Sequence, residues 1–292
     1  MSTGRFYIAG SILPQTEDKV HEFKSHRTLT YEELPHWCES RAGHKVKRTR
    51  QPVSKTVSAF LNGIEGGTIY LGVLDSGEVT GLRLTSFQKE HVLLSLADML
   101  RRFTPPMEVK SAADLLIGSG ACFRVGVDFV PVANGRESTE ELGTDEALSS
   151  GGETMSEDEA SRRATPHRLR SAEPCWCDDD CSALVNNGVY PRAYVIEIVI
   201  KRWDPSRDIN STTEPSGRLP LPTLYQNEEG LCYVRRLASI AMLSVQEACE
   251  MRRNQVHNFY QPVIRELEKR REKLYELIES KGGKDQTTGD SV

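Results

Sequence analysis

No stretch of this 292-residue chain approaches the roughly 18–20 consecutive apolar residues that cross a bilayer. The opening MSTGRFYIAGSILPQTED lacks the layout of a secretory signal. A membrane partner is therefore not expected, and a cytoplasmic location is, with the nucleus as the alternative. Aromatic residues are scarce at 7%, and the hydrophobic share is a modest 38%, which fits a globular core that carries polar insertions. A basic surplus is also missing. Lys and Arg number 37 against 42 Asp and Glu, a formal charge of −5, so phosphate binding has to come from local segregation of charge. The seven cysteines are an odd number in a chain without a secretory signal, which argues against a disulfide framework. Cys38, Cys122, Cys232 and Cys249 stand in apolar or strand-like contexts and read as buried thiols.

What is present is organised around Val57–Gly81, VSAFLNGIEGGTIYLGVLDSGEVTG. An apolar run, Val57–Leu61, reads as the end of a helix over Val53–Leu61. Asn62-Gly63 and Gly66-Gly67 break it, because both pairs favour positive φ and tight turns. Thr68–Val73 reads as a strand, Asp75-Ser76-Gly77 as a turn, and Glu78–Thr80 as a short return strand. Upstream, residues 1–15 read as an arm with one strand, Arg5–Ile12, and Glu17–Lys24 as a strand. Thr30 and Glu33 have capping-box spacing for a short helix stopped by Leu34-Pro35.

Downstream, Ser86–Phe103 is an amphipathic helix stopped by Pro105-Pro106, with Val92, Leu93, Leu96, Met99, Leu100 and Phe103 on one face. Ala121–Val132 alternates as a strand. Residues 134–165 are rich in Glu, Ser and Gly and read as a disordered acidic insertion. Ala193–Trp203 is a strong strand whose Val195–Ile200 suits a central position. Leu231–Arg235 reads as the last strand and Ser244–Arg253 as a helix. Asn258–Pro262 ends that helix and starts another that runs to about Ser280. Val263, Leu267, Leu274, Leu277 and Ile278 approximate a heptad seam there, interrupted by Arg270; it reads first as a face docked on the chain's own domain, with a short intermolecular helix contact as the alternative. The pattern is α+β: a mixed or antiparallel sheet with flanking helices.

Two clusters carry candidate chemistry on their residue types. Arg41–Lys55 holds Arg41, His44, Lys45, Lys47, Arg48, Arg50 and Lys55 with no acidic residue among them, either a solvated linker or a phosphate-contacting loop. His167, Cys175, Cys177 and Cys181 form H-x7-C-x-C-x3-C. Zinc favours such ligands, though reduced surface cysteines are the alternative, and two ligands from elsewhere, such as Cys122, are another arrangement.

Three separate pieces carry a resemblance. Ser58-Ala59-Phe60, Asn62, Gly66-Gly67, Gly72-Val73 and Asp75 follow the pattern VSAFANTxGG, an apolar strand and GVDD. Glu17-Asp18-Lys19-Val20-His21-Glu22-Phe23-Lys24 follows E-x4-E-F-K. Leu231–Arg236 with Ala238-Ser239 is similar to a closing VYVRxGSS strand. In this order, over roughly residues 17–250, they resemble the AlbA-like core of Schlafen proteins. The departure is Leu74, where that family usually has a first acidic residue.

The resemblance implies a metal-dependent endoribonuclease acting on structured or precursor RNA, such as tRNA or small-RNA precursors. It would work as a dimer or as a subunit of a larger assembly of Schlafen-like chains. Glu17, Glu22 and Asp75 would hold Mg²⁺ or Mn²⁺, with Lys24 as an electrostatic helper in catalysis. Lys45, Lys47, Arg48, Arg50, Arg235 and Arg236 would contact RNA, and His167, Cys175, Cys177 and Cys181 would form a structural zinc site. Glu17 and Glu22 would point to opposite faces of a regular strand, so the segment has to bend or end between them. The alternative is a non-catalytic RNA-binding or scaffold subunit. The implied organisation is an arm (1–16), the first part of the lobe (17–133), the insertion (134–165), the second part with the zinc set (166–253), a C-terminal helix (254–281) and a tail (282–292).

Overall fold

The strand expected at the centre of the sheet is there. In the computed structural model, β8 (Ala193–Ile200) pairs antiparallel with β7 (Val125–Ala133) on one side and with β5 (Gly67–Leu71) on the other. The structure describes residues 5–42, 45–107, 109, 124–134, 164–204 and 222–282, without the side chains of 41, 42, 45–47 and 280–282. Most of the acidic insertion, Cys122 and residues 283–292 therefore lie outside the described residues.

At the sheet margins, β1 (Tyr7–Ile8) runs parallel to β7 and β2 (His21–Lys24) parallel to β5, giving the order β1-β7-β8-β5-β2. Short β6 (Leu82–Arg83) also pairs with β8. Two hairpins stand apart: β3 (Glu39–Ala42) with β4 (Lys45–Arg48), and β9 (Cys232–Arg236) with β10 (Ser239–Leu243). With four α-helices among the described residues, the chain is α+β with a mixed sheet.

Strand alternation buries both faces of the sheet. Ile196, Ile198 and Ile200 of β8 join Ile69 and Leu71 of β5 against α1 (Val53–Asn62) and α2 (Ser86–Arg101). Val195 points the other way, to Phe23, Tyr70, Val73 and Val79. Glu197 shares that second face. It is buried and accepts hydrogen bonds from the Tyr7 hydroxyl and the Arg5 guanidinium, which fastens the N-terminal arm to the central strand.

α2 begins with a capping box: the Thr85 hydroxyl accepts from the Gln88 N–H and Gln88 Oε1 accepts from the Thr85 N–H, each at 3.2 Å. The turn between α1 and β5 needs glycine for two reasons. Gly66 has φ +72°, and a Cβ there would stand 2.2 Å from the Ile200 carbonyl oxygen. At Gly67 it would meet the Phe60 ring at 2.8 Å.

Several local expectations are corrected. Residues 30–33 form only a 3-10 turn, Tyr31–Glu33, without a Thr30 side-chain cap, because Glu33 instead accepts from the Leu29 N–H at 2.7 Å and from Ser95. The expected strand Glu17–Lys24 shrinks to β2, since Asp18 Oδ1 accepts from the N–H groups of Val20 and His21 and turns the chain just before it. The basic segment contains a hairpin strand, β4, rather than a bare linker. β10 follows β9, so Leu231–Arg235 is not the last strand. A helix not anticipated from the sequence, α3 (Trp176–Asn186), starts at the Cys cluster.

The chain divides into two compact units, residues 1–243 and 244–292. The second is dominated by α4 (Val245–Gly282), which runs unbroken through Pro262 where two helices were expected. Proline there lacks the N–H for one intrahelical bond and its ring crowds the Asn258 carbonyl, yet the helix continues on both sides of it. Cys249 is exposed rather than buried, whereas Cys38 and Cys232 are buried as expected.

Candidate metal and nucleic-acid sites

The turn that shortens β2 also brings Glu17 back towards Glu22. Asp18 bends the chain, and Glu17 Oε1 then accepts the N–H of Phe23 at 3.0 Å. Glu22, on β2 opposite Ile69 of β5, is buried and held by two cations: Lys24 Nζ on Oε1, and the Arg235 guanidinium on Oε2. Arg235 comes from β9 and grips the same turn through its other nitrogens, donating to the Asp18 carbonyl at 2.8 Å and the His21 carbonyl at 2.9 Å.

Asp75 is exposed in the turn after β5, beside half-buried Leu74. Burial raises the Glu17 carboxyl above its usual range. The N–H of Phe23 and the Lys24 charge oppose that shift, and Glu22 and Asp75 add to it, so the three acids and Lys24 share one electrostatic neighbourhood. Their ligand atoms do not form a compact set. Among the described residues, the group of His, Cys, Asp or Glu whose ligand atoms all lie within 4.8 Å of one another is elsewhere.

That group is His91, His167, Cys175 and Cys177. Three of the four residues expected from the H-x7-C-x-C-x3-C spacing belong to it. Cys181 does not: it lies one helical turn beyond Cys177 on α3, and its place is taken by His91 from α2. The imidazole Nδ1 of His91 is 3.3 Å from Cys177 Sγ, and Cys175 Sγ is 3.7 Å from His167 Nδ1. The Arg168 N–H donates to Cys175 Sγ at 3.2 Å, a backbone contact that would orient a ligating sulfur.

Burial holds His91 down to about 4 and lowers His167, which favours the neutral imidazole, the form that ligates a metal. Burial also raises the Cys177 thiol, so a thiolate there needs a cation beside it. Two imidazoles and two thiols at this spacing fit a four-coordinate soft-metal site, and the cluster could hold a metal ion. A cavity of about 270 Å³, lined in part by Arg27, His91, Cys175 and Asp178, opens beside it.

Asp178 anchors the start of α3. It accepts from the Cys175 N–H and the Gln88 amide, and pairs with the Arg27 guanidinium. The sequence reading missed His91 because it stands among the apolar-face positions of an amphipathic helix, where a histidine reads as core.

The basic residues divide. Arg48 is committed to Glu39 at 2.8 Å and lies over the Tyr31 ring. Arg50 stacks 5.1 Å from the centroid of Trp37, which is 74% exposed. Lys55 stands over Tyr233, and burial together with the nearby Lys24 charge lowers its pKa. Arg235 is occupied by Glu22, and Arg236 is exposed on β9. Lys45 and Lys47 sit on β4, and their side chains are outside the described residues.

Asn62, at the end of α1, has a role that the sequence did not reveal. Fully buried, it donates to the Tyr225 and Tyr233 carbonyls, both at 2.9 Å, and accepts from the Tyr225 N–H at 2.7 Å. This side chain ties α1 to β9, and hence Arg235 to β2.

Among the described residues, no helix is long and apolar enough to cross a membrane. Residues 17–141 match the family described as Schlafen, AlbA_2. The match includes Glu17, Glu22, Lys24, Asp75 and His91, and ends before Cys175, Cys177 and Arg235. The family is associated with nuclease activity, and the domain points to a nucleic-acid-related function. Over residues 17–141, which hold the glycine-hinged helix–strand unit and the acidic turn that Arg235 clamps from β9, the chain is similar to the Schlafen, AlbA_2 family.

Proposed function

We propose that the chain is a Schlafen-type endoribonuclease subunit that cuts structured or precursor RNA at the Glu17–Glu22–Asp75 neighbourhood with a divalent cation. The observation that carries this reading is the raised Glu17 carboxyl, which burial and the nearby Glu22 and Asp75 hold up against the Phe23 N–H and the Lys24 charge; Lys24 itself is paired with Glu22. Three acids in one neighbourhood with a single shared lysine suit Mg²⁺ or Mn²⁺, whose preferred ligands are carboxylate oxygens. A bound cation would supply neutralisation of charge on the phosphodiester and activation of water.

The chain's own residues set up the rest. Arg235 and Lys24 fix the Glu22 carboxylate. Arg50 and Lys55 supply positive charge to RNA phosphates from the adjoining surface, with Lys45 and Lys47 on the β3–β4 hairpin beside them in sequence. The His91–His167–Cys175–Cys177 group would hold zinc structurally, joining α2 to the start of α3. Assembly with a second Schlafen-like chain and a cytoplasmic or nuclear location belong to the same reading.

A second reading, a non-catalytic RNA-binding subunit, is favoured by one observation: both Glu22 oxygens are already occupied by Lys24 and Arg235. The deciding experiment incubates purified protein with Mn²⁺ and a tRNA-like substrate, alone and with co-purifying chains. Cleavage that Glu17→Ala and Asp75→Ala both abolish, with RNA binding retained, supports the nuclease. RNA binding without cleavage supports the second reading.

A further inference from the structure

We infer that α4 is a homodimerisation element: two copies of the chain join through a parallel, two-stranded coiled coil over Val256–Leu277. Val256, Tyr260, Val263, Leu267, Arg270, Leu274 and Leu277 recur at alternating spacings of four and three along one unbroken helix of 38 residues. That is the a/d pattern of a heptad repeat, which keeps facing a partner only if the two helices wind around each other. The seam is about 33 Å long. Val263, Leu267, Leu274 and Leu277 are each more than half exposed, and Ile264 and Ile278 flank them, also exposed. A polar helix that displays such a stripe gains its stability from packing the stripe, because helix propensity alone is marginal in water.

The flanking residues select the occupant and its direction. With Tyr260, Leu267 and Leu274 at a, the g positions are Phe259, Glu266 and Lys273, and the e positions are Ile264, Arg271 and Ile278. In a parallel pair each g residue faces the e residue of the next heptad on the other chain. Phe259 then meets Ile264 of the second copy, Glu266 meets Arg271, and the Lys273 stem lies along Ile278. All three pairings are compatible, and the one pair of charges has opposite signs. Arg270 is the single charged d residue. Glu266 accepts from its Nε at 3.1 Å within the same helix, drawing the guanidinium towards the edge of the seam. One polar layer of this kind weakens a coiled coil but fixes its register and favours one strand number.

The test is sedimentation equilibrium of the full chain at micromolar concentration, without RNA or metal, so its outcome is independent of the cleavage experiment. The expected mass is twice 32.7 kDa. Leu267→Glu with Leu274→Glu, at exposed positions, is expected to give a monomer with unchanged thermal unfolding of the remaining domain. Glu266→Arg places like charges on both sides of the dimer and is expected to raise its dissociation constant roughly fivefold. Adding Arg271→Glu restores the affinity, and Arg270→Leu tightens it. Direction is read in a Cys249→Ser, Leu277→Cys chain, where a short bismaleimide joins the new thiols only if the helices run parallel. A wild-type monomer, a trimer, a dimer that survives the double glutamate variant, or no Leu277→Cys cross-link would each overturn the inference.

Discussion

Arg235 and Glu22 are 213 positions apart in sequence and form a buried ion pair, with the Arg235 guanidinium also holding the Asp18 and His21 carbonyls. One side chain from β9 therefore sets the shape of the acidic turn in front of β2. Arg235→Ala would leave Glu22 buried with only Lys24 as counter-charge. Removing one partner of a buried pair costs about 3–5 kcal/mol. Chemical denaturation is expected to show a loss of that order, whereas Arg235→Lys, with a single donor head, recovers only part of it.

The metal cluster gives a prediction that separates the spacing-based set from the observed one. Plasma emission spectrometry of the purified chain is expected to find one zinc ion, retained in Cys181→Ser and lost in His91→Ala or Cys177→Ser. The adjoining cavity gives a chelator access, so chelation is expected to lower the thermal midpoint of wild type and leave that of Cys177→Ser unchanged.

Asn62→Ala removes a fully buried amide and leaves the Tyr225 N–H and two carbonyls without that partner. An unsatisfied buried group costs about 1–3 kcal/mol, so a loss at or above the top of that range is expected in urea unfolding. Asn62→Asp, which can accept but not donate when ionised, is expected to be no better.

Burial, with Arg50 and Lys24 adding to it, pushes the His26 imidazole down to about 3, and its Nδ1 accepts from the Thr28 N–H at 3.2 Å. The ring is neutral in the folded chain, while the unfolded chain takes up a proton near pH 6.5. The stability it contributes is present above pH 6.5 and is lost as the pH falls towards 3. His26→Asn is expected to flatten that part of the stability–pH curve, measured by denaturation between pH 4 and 8.

Arg50 and Lys55 are expected to act on RNA through phosphates. Replacing both by Ala should weaken binding to unrelated RNAs to a similar extent. It should also reduce the dependence of log affinity on log salt by roughly 0.7 to 0.9 per residue removed. A sequence-dependent effect would point to base contacts instead.

The order of helix, glycine turn, strand and hairpin over Val57–Gly81 was legible because local rules govern it: apolar periodicity, paired glycines, and a β-rich run ended by Asp-Ser-Gly. β8 was legible because a run as apolar as Val195–Ile200 has to be covered on both faces. Three of the four cluster residues were legible because they sit close together in sequence. His91, Asn62 and Arg235 acquire their roles from what other segments bring to them. His91 is one more face position of α2 until the loop carrying His167 and the start of α3 are laid against it, and Asn62 is a helix end until residue 225 and β9 arrive. Continuity of α4 through Pro262 also went beyond local rules, since an interior proline loses a hydrogen bond and crowds the carbonyl four residues back, and the sequence around it reads as a stop. The chain's local chemistry thus determined its elements, and packing of distant segments decided which polar side chains meet, because burial leaves each donor and acceptor dependent on partners that sequence proximity does not supply.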